Sequence, residues 1–314
     1  MRSITLVAPQ DLANVVVTVG AFDGIHVGHA AVLETVREEA RVRGGTSVVV
    51  TFSPHPRKVI EGAAAPPLLT SSEEKAWRIQ ALGIDVLAVV PFTEAVRRLS
   101  PEAFVRSYLV EKLKAQTVIV GYDHGFGKDR SGGFETMQRL GGCYGFEVRS
   151  VPPTLVDGAP VSSTRVRSLV QEGDFDSLYP LLGGGYPIIG SVVKGDRRGR
   201  TLGFPTANLA FDAREKLLPP AGVYAAWVFL PEPHRAVLNF GLRPTFNGLS
   251  KTFEVHVLDF EGDLYGRTLK LEVCHRIRAE AKFESLDALT RQIQTDIQTA
   301  RQVLSQKYTT FLRR

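Results

Sequence analysis

Val17-Thr18-Val19-Gly20-Ala21-Phe22-Asp23-Gly24-Ile25-His26-Val27-Gly28-His29 runs from an apolar, β-branched strand through a glycine-rich turn into a helical pattern. Gly20 and Gly24 permit a backbone path that side chains would block. A helix opening near Gly28 aims free N–H groups and a positive dipole end at whatever binds there. A triphosphate suits such a turn. His26 and His29 lie three residues apart, so on one helix face both can donate to phosphate oxygens while charge builds on a leaving group. Gly20, Phe22, Asp23, Gly24 and Gly28 are the candidate nucleotide-binding positions, and His26 and His29 the candidate catalytic ones. The plainer alternative is a strand-to-helix turn with two solvated histidines.

Outward from this turn, β-branched runs alternate with helical patterns from residue 15 to about 155. VVVTVG, SVVVTF, VLAVVPF, TVIVGY and EVRSV read as strands, and the segments near 29–43, 72–82, 101–114 and 133–142 as helices. Continuous apolar strands between amphipathic helices predict a parallel sheet covered on both faces, a Rossmann-like arrangement with ligands at the carboxyl ends of the strands. Helix starts are legible as well. Ser71 with Glu74 forms a capping box, and Ser100-Pro101-Glu102 supplies a cap, a first-turn proline and an acid.

Leu182-Gly183-Gly184-Gly185-Tyr186-Pro187 cannot continue a helix and reads as a boundary, dividing the chain into domains 1–183 and 184–314. Beyond it, IIGSVVK, GVYAAWVFL, HRAVLNFG, TFEVHVLDF and LKLEVCHRI are closely spaced strands that predict a small antiparallel β-barrel. From Ser285 an apolar stripe, Leu286, Leu289, Ile293, Ile297, Ala300 and Leu304, has helical spacing and predicts a terminal α-helix packed on the barrel.

The chain has 314 residues, 44% hydrophobic and 23% charged, the composition of about two globular domains. No apolar run approaches the roughly 18 residues of a membrane helix, and the N-terminus lacks a signal-peptide core. The expected location is therefore cytoplasmic, without a membrane partner. Cys143 and Cys274 fall in different domains with no C-x-x-C spacing, which argues against a disulfide framework and a zinc site. The net charge of +5 is spread along the chain, and no recognised nucleic-acid module is present, so phosphorylated small molecules are the expected partners.

Three further segments bear on the first domain. Thr51-Phe52-Ser53-Pro54-His55-Pro56-Arg57 follows the second strand, with His55 stiffened between prolines. Gly121-Tyr122-Asp123-His124-Gly125-Phe126-Gly127 follows TVIVG. In Val161-Ser162-Ser163-Thr164-Arg165-Val166-Arg167, hydroxyls cap a helix, leaving its amides to face phosphate, while Arg167, and Arg165 beside it, can place a fixed cation on polyphosphate. With GAFDGIHVGH, these segments resemble, in order, the signature of nucleotidyltransferases in the form carried by bacterial bifunctional riboflavin kinase/FAD synthetases. The resemblance implies that the FMN phosphate attacks the α-phosphorus of ATP, with Ser162, Ser163 and Thr164 on ATP and Arg167 catalytic. It also implies His55, Pro56, Asp123 and Phe126 beside the flavin. His124 stands where the family is more often aromatic and Gly125 where it is often basic.

The second domain opens with Gly190-Ser191-Val192-Val193-Lys194-Gly195-Asp196-Arg197-Arg198-Gly199-Arg200-Thr201-Leu202-Gly203-Phe204-Pro205-Thr206-Ala207-Asn208. Its glycines let backbone amides approach phosphate, and Thr206 and Asn208, two apart on an extended segment, present hard oxygens to one face, as magnesium requires. No Walker G-x-x-x-x-G-K-[ST] sequence occurs. The segment is similar to the riboflavin kinase signature of the same family. The resemblance implies Gly195, Gly199 and Arg200 on ATP, Gly203, Phe204, Pro205 and Arg278 on the flavin, and Mg2+ on Thr206 and Asn208. It gives Glu254 as the base for the riboflavin 5′-hydroxyl, and in a strand Glu254 points the same way as His256. The implied partners are riboflavin, FMN and ATP, with transient homo-oligomers and FAD delivery to apoflavoproteins compatible with them. Two rivals stay open: a chain whose adenylyltransferase has decayed, and a flavin-binding regulatory or storage protein.

Overall fold

Val16–Val19 is buried on both faces, and the apolar runs that follow it share this character, so they assemble as interior strands of a parallel sheet. The structure, a computed structural model, describes the chain apart from residues 123–124, 128–130, 196–198, 200–202, 213, 246–247 and 307–314, and gives backbone alone at 242–245, 248–251 and 306. By compactness it divides into Met1–Ser162 and Ser163–Arg314.

The sheet of the first unit comprises β1 (Arg2–Thr5), β2 (Val16–Val19), β3 (Ser47–Ser53), β4 (Val86–Pro91), β5 (Thr117–Gly121) and β6 (Glu147–Val151). Its order is β1-β4-β3-β2-β5-β6, and every pair is parallel. The chain adds β3 and β4 on one side of β2 and then β5 and β6 on the other. A crevice therefore opens beyond the carboxyl ends of β2 and β5, where such sheets bind ligands. Helices α1 (Val27–Val42), α2 (Pro56–Glu61), α3 (Ser72–Ala81), α4 (Glu94–Arg97), α5 (Pro101–Phe104) and α6 (Phe134–Tyr144) fill the crossovers, and α5 continues in π-helical geometry over Val105–Lys112. The Ser71–Glu74 capping box is present, as is the Ser100 cap on α5. A two-stranded hairpin, β7 (Leu155–Val156) and β8 (Ala159–Pro160), turns through Asp157 and Gly158, both at positive φ.

The second unit opens with α7 (Ser163–Glu172) and α8 (Phe175–Leu182), followed by strands β9 (Tyr186–Val193), β10 (Ala207–Ala210), β11 (Gly222–Phe229), β12 (Pro233–Thr245), β13 (Gly248–Val257) and β14 (Thr268–Ala279), and then α9 (Leu286–Gln306). The strands close as an antiparallel barrel in the order β10-β13-β12-β11-β14-β9. Alternation sorts their side chains. Val223, Ala225, Trp227, Val237 and Cys274 cluster with Ala300 and Leu304 of α9, so they lie on the barrel's outer face beneath that helix. The alternate positions Tyr224, Leu238, Phe240, Phe253 and Val255 face inward, with the Phe240 and Phe253 rings stacked at 4.3 Å.

Gly183–Gly185 form a buried turn inside this unit. Gly183 ends α8 in the left-handed conformation, and a Cβ on Gly185 would meet Glu272 at 2.7 Å and the Cys274 sulfur at 2.9 Å. Their glycine content therefore reflects close packing onto β14 as well as a helix stop.

Candidate active sites

The signature turn of the first unit is built from unusual backbone. Phe22 (φ +48°), Gly24 (φ +92°) and Ile25 (φ +42°) all adopt positive φ within four residues, two of them without glycine's freedom. Gly20 serves by close approach instead, since a Cβ there would lie 3.0 Å from the Phe22 ring. His26 caps α1, its Nδ1 accepting from the His29 amide at 3.2 Å. The imidazoles of His26 and His29 stack at 3.8 Å and 13°, and Phe22 meets His29 edge-on at 5.2 Å. Gly28 makes room for this stack: a Cβ would sit 3.2 Å from the His26 ring and 3.9 Å from the Val161 carbonyl, which also brings the start of the V-S-S-T-R segment against the turn. Burial, then the His26 ring, then Lys75 hold the His29 pKa well below its ordinary 6.5, and its Nδ1 is buried without a partner. A neutral imidazole at the switch point has one nitrogen open to an incoming ligand.

Asp23 and Lys75 tie the turn to α3 and to the segment that precedes it. Asp23 Oδ1 accepts from the amides of Leu69 (2.9 Å) and Thr70 (3.0 Å) and from the Thr70 hydroxyl (3.3 Å), while Gly24 donates to that hydroxyl. Lys75, 7% exposed, donates to the Ala21 carbonyl at 2.6 Å and to Thr51 Oγ1 at 3.3 Å. Its burial brings its pKa from 10.5 to about 8, against the opposing pull of Asp23. Sequence reading missed Lys75 because a lysine inside an amphipathic helix reads as solvated face.

The residues that the resemblance implies for the flavin are more dispersed in this unit. His55 caps α2, its Nδ1 accepting from Arg57, and Pro56 is that helix's first residue. Phe126 is buried in the first unit's core, 6.5 Å from the Phe104 ring, and pairs through its backbone with Gly132. Asp123 and His124 lie outside the described residues. Ser162 closes the first unit, and Ser163, Thr164, Arg165 and Arg167 lie on the opening turns of α7, with Thr164 exposed and both arginines half-buried.

In the second unit, strand pairing assembles the segment that resembles the riboflavin kinase signature. β10 pairs with β13 at Ala207↔Val255 and Asn208↔Glu254, and β12 pairs with β13 at Asn239↔Glu254. Directly opposed residues share a face, so Asn208, Glu254 and Asn239 form a row across three strands. Asn239 in turn stands opposite Val223, which lies under α9, so the row is on the outer face. Gly195 backs onto this row at Asn208, and Gly199 onto the segment that leads into it. A Cβ on Gly195 would clash with the Asn208 amide nitrogen, and one on Gly199 would clash with Phe204 O and lie 3.2 Å from Thr206 Oγ1. Gly203 adopts φ +83°, and Phe204 donates to the Gly199 carbonyl at 2.8 Å. Arg200 and Asp196 to Arg198 lie outside the described residues. Arg278 is occupied by α9: its Nε and an Nη donate to both oxygens of Asp296 at 2.8–3.1 Å, its other Nη to the Ala279 carbonyl, and its guanidinium lies 5.6 Å from the Phe283 ring.

Comparison with known proteins places each unit. Residues 8–165 match the family model described as FAD synthetase, and residues 182–304 the one described as riboflavin kinase. The chain is 39% identical over 297 residues to the bifunctional riboflavin kinase/FMN adenylyltransferase of Escherichia coli K12, covering 94% of each chain. It is 37% identical over 311 residues to that of Bacillus subtilis 168, covering 96% of this chain and 97% of the relative. A crystal structure described as a macrolide-efflux protein from Streptococcus pneumoniae superposes with a TM-score of 0.82 at 31% identity, covering 95% of this chain and 98% of that one. Among the described residues no helix is long and apolar enough to cross a membrane.

Proposed function

Because the chain belongs to the family of bifunctional riboflavin kinase/FMN adenylyltransferases, we propose a division of its residues between two phosphate transfers. The protein phosphorylates riboflavin with ATP to give FMN, and adenylylates FMN with ATP to give FAD and pyrophosphate. Residues 1–183 are assigned to adenylyl transfer and 184–314 to phosphorylation. The cytoplasm is the assigned location, in keeping with two free cysteines, Cys143 and Cys274.

For adenylyl transfer, an FMN phosphate oxygen attacks the α-phosphorus of ATP in line. The bond to the bridging oxygen breaks, and pyrophosphate leaves with the electron pair. His29, neutral and unpartnered at Nδ1 before binding, meets the charge that grows on the leaving group, with His26 stacked behind it. Ser162, Ser163, Thr164 and Arg167 are assigned to the polyphosphate, and His55, Pro56, Asp123 and Phe126 to the flavin side. No protein nucleophile takes part.

For phosphorylation, the observation that carries the reading is the cross-strand pair Asn208↔Glu254. Glu254 takes the proton from the riboflavin 5′-hydroxyl as that oxygen attacks the γ-phosphorus of ATP and ADP departs. Thr206 and Asn208 supply hard oxygens beside the carboxylate, a donor set that fits magnesium shared with ATP phosphates and water. Bound there, magnesium would neutralise phosphate charge. Gly195, Gly199 and Arg200 are assigned to ATP, and Gly203, Phe204 and Pro205 to riboflavin. Arg278, tied to Asp296 on α9, is assigned to the flavin as well.

The test is to incubate the protein with riboflavin, ATP and magnesium and to resolve FMN and FAD by chromatography, alongside Glu254→Gln. The variant keeps shape while losing basicity, so FMN formation should fall and conversion of supplied FMN to FAD should persist. Parent-rate phosphorylation by Glu254→Gln would remove the base assignment.

A further inference from the structure

The β10–β13 ladder is short. It fixes Ala207 opposite Val255 and Asn208 opposite Glu254, and its pairing does not reach Thr206 or Pro205. Proline has no amide to extend it. Yet Thr206 and Asn208 must share one face to act together, and a one-residue slip of an extended segment turns both away.

A side chain from the strand of the catalytic glutamate takes over where the ladder ends. His256, two residues beyond Glu254 on the same side of β13, approaches the Pro205 carbonyl with Nδ1 at 2.8 Å. A carbonyl only accepts, so Nδ1 carries the proton, and it does so whether the ring is neutral or charged. The same ring meets Phe204 edge-on at 6.0 Å and 88°. On the other flank, Gly199 accepts from the Phe204 amide and packs on Thr206. Phe204-Pro205-Thr206 is thus held between a glycine turn and one imidazole.

We propose that His256 is a positioning residue of riboflavin phosphorylation: its Nδ1–H, donated to the Pro205 carbonyl, sets the register that places Thr206 and Asn208 beside Glu254. This rests on the kinase reading of that face. His256 takes no proton from the substrate, and its effect passes through Pro205.

Isosteric replacement tests it, because asparagine offers an N–H near the δ position and glutamine near the ε position. In the full-length protein, His256→Asn should keep riboflavin kinase kcat, and KM for magnesium–ATP, within about threefold of the parent. His256→Gln and His256→Ala should each raise KM and lower kcat, with kcat/KM down about tenfold or more. FMN adenylylation and the thermal midpoint in the same preparations report whether the chain is intact. If His256→Ala fails to fold, the Asn and Gln pair decides. Equal activity of Asn and Gln variants, high or low, overturns the proposal. Failure of the underlying reading would appear separately, as parent-rate phosphorylation by Glu254→Gln.

Discussion

Replacing Lys75 with methionine tests the electrostatics beneath the H-x-G-H turn. Holding an ammonium in this place is costly: burial brings its pKa from 10.5 to about 8, and at 1.36 kcal/mol per pH unit that is about 3 kcal/mol below pH 8. Methionine removes the cost. It also removes a charge-assisted hydrogen bond to Ala21, a contribution of about 1.5–3 kcal/mol, although Thr51 Oγ1 still donates to that carbonyl at 3.2 Å. The two changes largely cancel, so stability at pH 7 should move by about 1.5 kcal/mol or less. The pH dependence should change far more. Between pH 8 and 10.5 the unfolded chain binds a proton that the native lysine has released. Lys75 therefore makes stability rise with pH across that window and lose the gain as pH falls through about 8. The parent-minus-variant difference should climb by about 3 kcal/mol between pH 7 and 10.5. With only two tryptophans in the chain, a Trp227→Phe background leaves Trp77, on the same helix as Lys75, to report urea unfolding. A flat difference curve would refute the buried-ammonium argument. FMN adenylylation by Lys75→Met should drop about tenfold at pH 7, because the Ala21 carbonyl is held less firmly.

His29→Ala should lower FMN-to-FAD conversion about a hundredfold, equivalent to about 3 kcal/mol, with riboflavin phosphorylation by the same sample as the internal reference; equal rates would take the imidazole out of the mechanism. Since the folded pKa of His29 is depressed, its contribution to stability is complete above pH 6.5 and is lost as pH falls below that value, so acid unfolding of His29→Ala should begin at lower pH. Asp296→Ala leaves the half-buried Arg278 guanidinium without its carboxylate and should cost about 3 kcal/mol in urea unfolding, whereas Arg278→Met with Asp296→Leu should recover most of that loss. A fragment of residues 163–314 should phosphorylate riboflavin. One beginning at 184 lacks the Asp176–His275 bond of 2.7 Å and the Phe175–Tyr224 ring contact of 5.2 Å, and should be less stable by urea unfolding; equal stability would mean that α7 and α8 are not part of the folding unit.

The sheet, the barrel and α9 were legible because their signals are local: continuous apolar runs in β2 to β5, closely spaced β-like runs in β11 to β14, and a helical stripe of which Ile297, Ala300 and Leu304 pack on the barrel. What the pattern missed has no such local signal. β1 is four mostly exposed residues at a sheet edge, and it exists because β4 offers it a pairing partner. α8 contains Pro180, which lacks an amide donor, and burial of Phe175, Leu178, Leu181 and Leu182 supports the helix despite it. The glycine run at 183–185 reads as a boundary because it cannot continue a helix, and its close packing against Glu272 and Cys274 is not visible in the sequence, since those neighbours lie far along the chain.

The same distinction governs the sites. Residues whose type suggests chemistry can be singled out in the sequence as candidates: two histidines three apart, a carboxylate in a strand, a hydroxyl and an amide two apart. Residues that hold them in place cannot, because their partners are distant backbone atoms. Lys75 is meaningful only once Ala21 is beside it, and His256 only once Pro205 is. Arg278 illustrates the converse. Motif context implies a flavin contact, and the guanidinium is also bonded to Asp296 of α9, a carboxylate 2% exposed that would otherwise be buried without a cation. A signature can therefore mix groups that meet substrate with groups that meet the scaffold, and the two kinds separate only by what each polar atom touches. Substitutions should separate them too: those at Glu254 should act on turnover with the fold intact, and those at Asp296 on stability first.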